Sequence, residues 1–412
     1  MENQYEIMSP VGSFEALAAA IQAGAGSVYF GAGNLNMRAA SSNNFSLEDI
    51  REIVNICNSH GIKSYLTINT VIYDEELEIV SEILDIAKKY GVSAIIASDI
   101  AVMEAAKSRG LEIHASTQLN VSNFEAVKFY AKYADVIVLA RELNLNQVKH
   151  ITDRIRKEQL CGPGGELLRI EIFVHGALCM AVSGKCYLSL HEANRSANRG
   201  ACIQICRRAY TATDNETGHQ LEIDNKYIMS PKDLCTIGFL DKILDAGVSL
   251  LKIEGRGRSA EYVKTVTEVY NEAVMAYIAK DYSDEKIDAW KLKLREVFNR
   301  DFWDGYYLGQ SLGEWSNRYG SQASKKKILV GRVTTYYKQI QVVAVKTDAE
   351  TIKSGDKIMI VGPTSGVVEF TADDIRVEDK NVETAKQGIE CSIACRELVR
   401  HNDKVFKIVD SE

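Results

Sequence analysis

Residues 63–115 read KSYLTINTVIYDEELEIVSEILDIAKKYGVSAIIASDIAVMEAAKSRGLEIHA. Three short apolar segments, Lys63–Ile68, Ser93–Ala97 and Glu112–Ala115, are typical of strands that are buried on both faces. The segment Glu75–Lys89 between the first two has the apolar period of an amphipathic helix. This alternation of strands and helices predicts parallel strands that are connected by helices.

The same alternation extends over about the first 280 residues. Five further strand-like segments are Tyr5–Met8, Ser27–Phe30, Asp135–Leu139, Arg169–Val174 and Leu250–Ile253. Further helical segments are Phe14–Ala23, Leu47–Ser59, Phe124–Tyr133, Leu145–Lys157 and Ala260–Ala279, and the glycines expected just after helix ends are Gly61, Gly91 and Gly110. Eight strands with intervening helices predict an α/β fold, a (β/α)8 TIM-like barrel in residues 1–320. A doubly wound open sheet is the alternative, and Tyr227–Met229 is a candidate for an additional strand.

The pattern changes after residue 320. Ser321–Lys327 is polar and basic, which is typical of a linker. From Ile328 onward, short alternating strand-like segments are separated by turn residues and predict a small all-β barrel of residues 328–412. Cys391 and Cys395 lie in this part, and two thiols alone indicate packing residues rather than a metal site.

The bulk composition limits the class of protein. The chain has 412 residues, 46% hydrophobic and 25% charged, which is ordinary for a globular protein. No apolar run reaches the roughly 18 residues of a membrane span, and the polar N-terminus has no signal-peptide core. The net charge of −7 argues against a general attraction to nucleic acid. We therefore expect a cytoplasmic protein with reduced thiols and no membrane association.

Residues 174–208, VHGALCMAVSGKCYLSLHEANRSANRGACIQICRR, contain four of the nine cysteines. They are Cys179, Cys186, Cys202 and Cys206, and Cys235 follows. Their spacing suits an iron–sulfur cluster at least as well as zinc, whose sites usually have closer pairs. Buried packing thiols are the third reading. The Cys-rich loop, residues 176–235, has little period and would lie over the C-terminal mouth of the barrel, where active sites form.

Polar residues at the predicted strand ends are candidates for a site at the same mouth. The candidates for catalysis are His175, Arg141, Glu142, Lys252 and Glu254. The candidates for substrate binding are Asn69, Gln118, Arg256, Arg258, Arg195 and Arg199. The arginines would suit carboxylates or phosphates. The alternatives are loop solvation and strand-end ion pairs, a core role for His175, or a Cys179–His175 nucleophilic pair.

Several motifs resemble those of the U-32 peptidase family, also called collagenase-like proteases. They are MSPVGSFEALAAAIQAGAGSVYFG (residues 8–31), LNMRA (35–39), HGALCMAVSGKCYLS (175–189), SANRGACIQICRRAY (196–210), YIMSPKDL (227–234) and KIEGRGRS (252–259). The resemblance covers nearly the whole first domain, and the small β-barrel is similar to the family's extra domain.

The resemblance is greatest to the branch that installs 5-hydroxyuridine at the tRNA wobble position. It implies a [4Fe–4S] cluster, prephenate as co-substrate and the tRNA anticodon arm as partner. It also implies that Cys179, Cys186, Cys202 and Cys235 are the cluster ligands, with Cys206 as a substitute. The family name implies an alternative, a peptidase acting on unfolded or collagen-like chains. A non-catalytic Fe–S subunit that binds a partner protein is the third possibility.

Overall fold

Eight parallel strands form a closed barrel in the computed structural model, which describes residues 5–40, 44–213, 215–218, 220–221, 229–310 and 313–411. The barrel strands are β1 (Glu6–Pro10), β2 (Ser27–Phe30), β3 (Lys63–Ile68), β4 (Ala94–Ala97), β5 (Glu112–Ala115), β6 (Val136–Val138), β7 (Arg169–Gly176) and β8 (Leu250–Ile253). Each pairs with the next in parallel, and β8 pairs with both β7 and β1. The predicted TIM-like barrel is therefore confirmed, and the open sheet is excluded.

Helices cover the outside of the barrel. They are α1 (Phe14–Gln22), α2 (Asp49–Ser59), α3 (Leu77–Tyr90), α4 (Ile100–Ser108), α5 (Phe124–Tyr130), α6 (Leu145–Glu158), α7 (Leu188–Ala193), α8 (Leu240–Asp245), α9 (Ala260–Ile278) and α10 (Asp284–Glu296). Helix α1 begins where the Ser13 hydroxyl accepts a hydrogen bond from the Ala16 amide. Helix α3 ends at Gly91, which has the left-handed conformation (φ 80°) expected of a glycine cap.

The sheet extends beyond the barrel at one place. Strand Asp233–Cys235 pairs antiparallel with the end of β7 and parallel with Phe302–Trp303. Neither short strand was expected from the sequence, because two or three residues carry no readable period. The additional strand considered at Tyr227–Met229 falls mostly outside the described residues.

The C-terminal part is an antiparallel all-β unit. Its main strands are β9 (Lys325–Tyr337), β10 (Val342–Lys346), β11 (Lys357–Gly362), β12 (Gly366–Thr371), β13 (Glu390–Ala394) and β14 (Lys404–Asp410). Shorter strands are Ile352–Lys353, Arg376–Val377, Lys380–Asn381 and Thr384–Ala385, and another short pair, Ala212–Thr213 with Gln220–Leu221, lies in the Cys-rich loop. Strand β9 begins inside the segment expected to be a linker. Cys391 and Cys395 are buried in the apolar core of this unit, as predicted, although Cys391 lies on a strand.

The two parts are in contact through α1 and α9. Ala19 and Ala260 from these helices pack against Met359 and Val367 of the β unit. At the edge of this contact, the Gln22 side chain donates to the Ser365 carbonyl (2.8 Å) and accepts from the Val367 amide (3.0 Å).

Candidate functional site

A cavity of about 220 Å³ lies at the C-terminal mouth of the barrel. Residues from strand ends line its floor and include Tyr29, Thr67, Phe173 and Lys252, while residues 177–186 of the Cys-rich loop cover it. Its volume is somewhat below the roughly 300 Å³ at which typical small-molecule sites begin. The cavity therefore has room for a compact ligand, at the end of the barrel where TIM-barrel enzymes keep their active sites.

Four thiols line this cavity, those of Cys179, Cys186, Cys202 and Cys206. All four are at least partly accessible, whereas structural free cysteines are usually buried. Burial raises the pKa of the Cys206 thiol, and the other three thiols raise it further because thiolates so close together repel one another. Four soft donors that meet at one cavity are the donor set of an iron–sulfur cluster.

Cys235 is placed differently. It is buried on the strand Asp233–Cys235, opposite His175, and does not line the cavity. Burial raises the pKa of its thiol to about 11, and its neighbours include the Tyr270 hydroxyl. The structure therefore corrects the expected ligand set, since Cys206 occupies the place beside the other three thiols that the resemblance gave to Cys235.

The donor set fits a cluster better than it fits a single ion. In the described part of the chain, no three His, Cys, Asp or Glu side chains converge closely enough to hold one metal ion. Zinc would require such convergence on a tetrahedron. A [4Fe–4S] cubane binds one thiolate at each iron, so its four ligands surround a volume instead.

Contacts with the barrel hold the thiol-bearing loop in place. Arg207 donates to the carbonyls of Leu178 and Pro231, both at 2.6 Å, and to the Ser230 hydroxyl at 3.0 Å. Gly200 approaches so closely that an added Cβ would lie 2.3 Å from the Asn36 carbonyl oxygen. The loop lacks long regular elements and is positioned by these specific contacts.

Arg199 was expected to bind substrate, but it has a positioning role in this structure. Its guanidinium forms a two-bond pair with the Glu76 carboxylate and stacks 3.9 Å from the centroid of the Tyr73 ring. It also donates to the Val71 carbonyl (2.9 Å). These groups lie between β3 and α3, so Arg199 ties the Cys-rich loop to the loop after β3. Arg195, in contrast, is exposed.

A buried group of charges occupies one wall of the cavity. Arg38 forms an ion pair with Glu254 (2.6 Å), and both side chains line the cavity. Burial acts to raise the pKa of Glu254, but Arg38 and Arg258 outweigh it and hold this pKa at about 2. Glu254 therefore stays ionised and is a partner for cations, which does not favour the proton-transfer role expected of a catalytic acid or base.

Arg256 is nearby and has neutral partners. Its guanidinium donates to the Thr67 hydroxyl and to the Asn36 amide oxygen, both at 2.9 Å. Burial lowers its pKa to about 10, so it remains charged at neutral pH. An added Cβ on Gly31 would lie 2.3 Å from the Arg256 guanidinium, so this position has room only for glycine.

Arg141 and Lys252 face the cavity from another side. The Arg141 guanidinium lies 3.7 Å from the centroid of the Phe173 ring and donates to the Ala177 carbonyl. Its Nε is buried without a hydrogen-bond partner, so one charged donor is free for a ligand. The Lys252 ammonium lies 2.6 Å from Glu171 and 4.6 Å from the centroid of the Tyr29 ring.

Two further arginines line the cavity near the thiols. Arg258 stacks on the Phe298 ring at 3.5 Å, and Arg300 is 3.3 Å from the Asp233 carboxylate. The cavity thus has six arginines and one lysine among its lining residues against one carboxylate, Glu254. Its chemistry is that of a binding site for an anion.

Asn69 and Gln118 also line the cavity, as expected for substrate-binding residues. The Asn69 amide donates to Gln118 (3.3 Å) and to Ser116 (3.3 Å), and its oxygen accepts from the Met37 amide (3.1 Å). The two amides thus form a polar wall whose orientation is fixed by its own hydrogen bonds.

His175 and Glu142 do not reach the cavity. The His175 ring is buried among Tyr262, Tyr270 and Phe302, and burial with the nearby Arg258 lowers its pKa to about 3. Glu142 is exposed and absent from the cavity lining. The structure corrects both predictions of a catalytic role, because neither group is placed to touch a ligand.

Sequence reasoning missed several cavity residues. Arg38, Arg207 and Arg300 were not singled out, although Arg38 follows β2 and therefore had a signal as a residue of a loop after a barrel strand. Arg300 lies in a segment far from any barrel strand and had no such signal.

None of the helices formed by the described residues combines the length and the apolar character that a membrane crossing requires.

The fold and the site define a TIM-barrel protein with a thiol-bearing cavity for an anionic ligand. The family model of peptidase family U32 matches residues 12–317, so the chain belongs to this family. A "Collagenase" of Porphyromonas gingivalis strain W83 is 55% identical over 405 residues, which are 98% of each chain.

Other relatives carry names from RNA modification. The "tRNA hydroxylation protein P1" of Bacillus subtilis is 33% identical over 384 residues, 91% of this chain and 88% of that protein. The "23S rRNA 5-hydroxycytidine C2501 synthase" of Escherichia coli is 37% identical over 277 residues, 67% of this chain and 40% of that protein.

Proposed function

We propose that this protein is an RNA-modifying enzyme that carries out the prephenate-dependent 5-hydroxylation of wobble uridine in tRNA. The observation that carries the proposal is the meeting of four thiols and seven cations around one cavity at the barrel mouth. Relatives named for tRNA and rRNA hydroxylation support the reaction class.

The proposed cofactor is a [4Fe–4S] cluster held by Cys179, Cys186, Cys202 and Cys206. Bound there, such a cluster supplies one-electron transfer or activation of a substrate. The chain's own residues fix the loop, because Arg207 and Arg199 anchor its two halves to the barrel. Replacing Arg207 would therefore loosen the thiol group without removing a ligand.

The proposed co-substrate is prephenate, a small dicarboxylate. Arg256 and Arg141 are held rigidly by neutral or aromatic partners, so their charge is available to a carboxylate. Guanidinium groups bind carboxylates through paired hydrogen bonds, which fix orientation as well as charge. The Asn69 and Gln118 amides supply neutral donors and acceptors on the opposite wall.

The proposed macromolecular substrate is the tRNA anticodon arm. Residues around the cavity mouth present exposed cations, Lys185 and Arg195, together with Tyr187, whose side chain is 76% exposed. An unpaired base can stack on such a ring while cations contact phosphates, which is how proteins commonly bind single-stranded RNA. The acidic remainder of the surface confines this attraction to the mouth.

A complementation experiment tests the proposal. The chain is expressed in a bacterium deleted for its own tRNA hydroxylation proteins, and 5-hydroxyuridine is quantified by mass spectrometry of digested tRNA. The proposal predicts that the modified nucleoside returns with the wild type and with Cys235→Ala but not with Cys206→Ala. An unmodified tRNA pool, with protein folded and expressed, would contradict it.

Peptidase activity is the second candidate, and the 55% identity to a protein named collagenase favours it. The Cys179–His175 pair that a thiol peptidase could use is not assembled at the cavity, because His175 faces Tyr270 instead. We expect no cleavage of gelatin by the purified protein. Cleavage that is lost in Cys179→Ser with iron content retained would establish this second function instead.

A further inference from the structure

A line of buried charges runs along the barrel axis from the cavity toward the opposite end. The Lys252 ammonium is 2.6 Å from Glu171 Oε1, and Glu171 Oε2 is 3.3 Å from His114 Nδ1. His114 Nε2 then lies 3.4 Å from the Glu112 carboxylate, which is partly exposed at the far end. Lys252, Glu171 and His114 come from three different strands, β8, β7 and β5.

Stability alone does not explain this line. Burying ions costs free energy that their mutual attraction only partly returns, and apolar replacements of similar volume are often neutral or stabilising. The neighbouring interior of the same barrel is apolar, with Met8, Tyr65 and Ile96 packed together. Lys252 is the member of the line that lines the cavity. The line therefore ends on the site.

We infer that Glu171 and His114 are positioning residues that hold Lys252 as an ammonium at the cavity floor, where it binds a carboxylate of the anionic co-substrate. This inference rests on the proposed function, from which it takes the class of ligand. It adds two residues that do not touch the ligand and that no sequence pattern singled out.

The surroundings of Lys252 explain why a counter-ion is needed. The charged and titratable groups that face it are Glu171 from β7, Arg141 from the loop after β6, Arg256 from the loop after β8 and Tyr29 from β2. Burial and the two guanidinium groups lower the pKa of Lys252, and Glu171 opposes them. Without Glu171, the ammonium would be a buried cation among cations and would release its proton more readily.

His114 plays the corresponding part for Glu171. Burial acts to raise the pKa of Glu171, but Lys252 and His114 outweigh it and hold that pKa at about 2. Hydrogen bonds to Glu112 and Glu171 raise the pKa of His114 in spite of its burial. The carboxylate of Glu171 is thus held between two cationic partners and is fixed in direction as well as in charge.

The test is the affinity for prephenate, measured by calorimetry on the holoprotein between pH 6 and pH 9. Glu171→Gln should weaken binding roughly ten- to hundredfold at the alkaline end, as expected for the loss of a charge-assisted contact. Binding should recover as the pH falls, because protonation then restores the Lys252 ammonium. Adding Lys252→Arg to Glu171→Gln should remove this pH dependence, since guanidinium stays charged throughout.

The matched control is Glu6→Gln, which removes a different carboxylate inside the barrel that contacts Lys63 and Tyr65 and not Lys252. It should leave the pH profile of binding unchanged. His114→Asn, which removes the imidazole charge, should shift the profile in the direction of Glu171→Gln and gives the answer if that variant does not fold.

Two outcomes would overturn the inference. If the wild type binds prephenate and the variants at Glu171 and His114 keep its pH profile, the positioning role is wrong and the proposed function stands. If the wild type does not bind prephenate at any pH, the co-substrate of the proposed function fails and the inference fails with it.

Discussion

At the scale of single residues, Arg256 shows how the cavity keeps a charge available. Its two hydrogen-bond acceptors, on Thr67 and Asn36, are neutral, so they orient the guanidinium without cancelling its charge. Arg38 differs, because it forms an ion pair with Glu254. Arg256 is therefore the better anchor for a carboxylate, and Arg38 mainly sets the position of Glu254.

Arg256→Lys should weaken prephenate binding about tenfold or more, because an ammonium cannot satisfy both fixed acceptors and the ligand in the planar geometry of guanidinium. Calorimetry measures the affinity. Arg195→Ala is the control, since Arg195 is exposed and belongs to the RNA-facing side. It should weaken tRNA binding and leave prephenate binding intact, and equal effects on both ligands would contradict this division.

His175 predicts a specific acid sensitivity. Its pKa is lowered from the ordinary value of about 6.5 to about 3 in the folded protein. The unfolded chain therefore binds a proton that the folded protein rejects between these pH values. His175 thus contributes stability that is present above pH 6.5 and lost as the pH falls toward 3, by up to about 1.4 kcal/mol per pH unit.

Urea unfolding of the wild type and of His175→Asn between pH 7.5 and pH 4.5 tests this effect. The free energy of unfolding should fall less steeply with acid in the variant, because the titrating ring is absent. Parallel pH curves would show that His175 is not buried as a neutral ring.

The sequence supplied part of the site and could not supply the rest. Asn69, Gln118 and Arg256 were found because strand ends converge in any parallel barrel, so position along the chain sufficed. The exchange of Cys206 for Cys235 could not be found in this way, because spacing does not show which thiols share a cavity.

At the scale of elements, the Cys-rich loop depends on close backbone contacts. Gly200 has a φ of 78°, and its neighbour Ala40 donates to the Gly200 carbonyl (3.0 Å). Gly200→Ala should displace the loop, because the new Cβ would lie 2.3 Å from the Asn36 carbonyl oxygen. The expected result is protein that folds but retains much less iron.

Gly218→Ala is the control for this prediction. Gly218 lies in the same loop with a similar φ of 69°, and an added Cβ there meets nothing within 4 Å. Both variants carry a left-handed alanine, at a cost of roughly 1–2 kcal/mol. A difference in iron content between them therefore measures the contact with Asn36, and equal iron contents would contradict the proposed anchoring.

Most barrel elements were predictable, since buried strands and amphipathic helices leave strong periods, as in Lys63–Ile68 and α3. The six-residue helix α7 was not predicted, because one and a half turns show too little period. The extension Asp233–Cys235 was missed for the same reason, and with it the burial of Cys235.

At the scale of the whole molecule, the β unit packs on the outside of the barrel through α1 and α9. Gln22 makes two hydrogen bonds across this contact. Gln22→Ala should weaken it by about 1–2 kcal/mol in total, because two buried backbone groups lose their partner. Limited proteolysis should then release the β unit faster than in the wild type.

Gln387→Ala is the control for the contact between the two parts. Gln387 makes one hydrogen bond, to the Asp348 carbonyl, within the β unit. It should leave the rate of proteolysis between the two parts unchanged. An equal rate in Gln22→Ala would show that the contact is not held by this residue.

The central claim of the account is that Cys179, Cys186, Cys202 and Cys206 hold one [4Fe–4S] cluster at the mouth of the barrel. The most direct measurement is the iron and sulfide content of anaerobically purified wild type, Cys206→Ala and Cys235→Ala. The account predicts about four iron and four sulfide per chain in the wild type and in Cys235→Ala, with a large loss in Cys206→Ala. Iron-free wild type, or loss in Cys235→Ala with retention in Cys206→Ala, would contradict it.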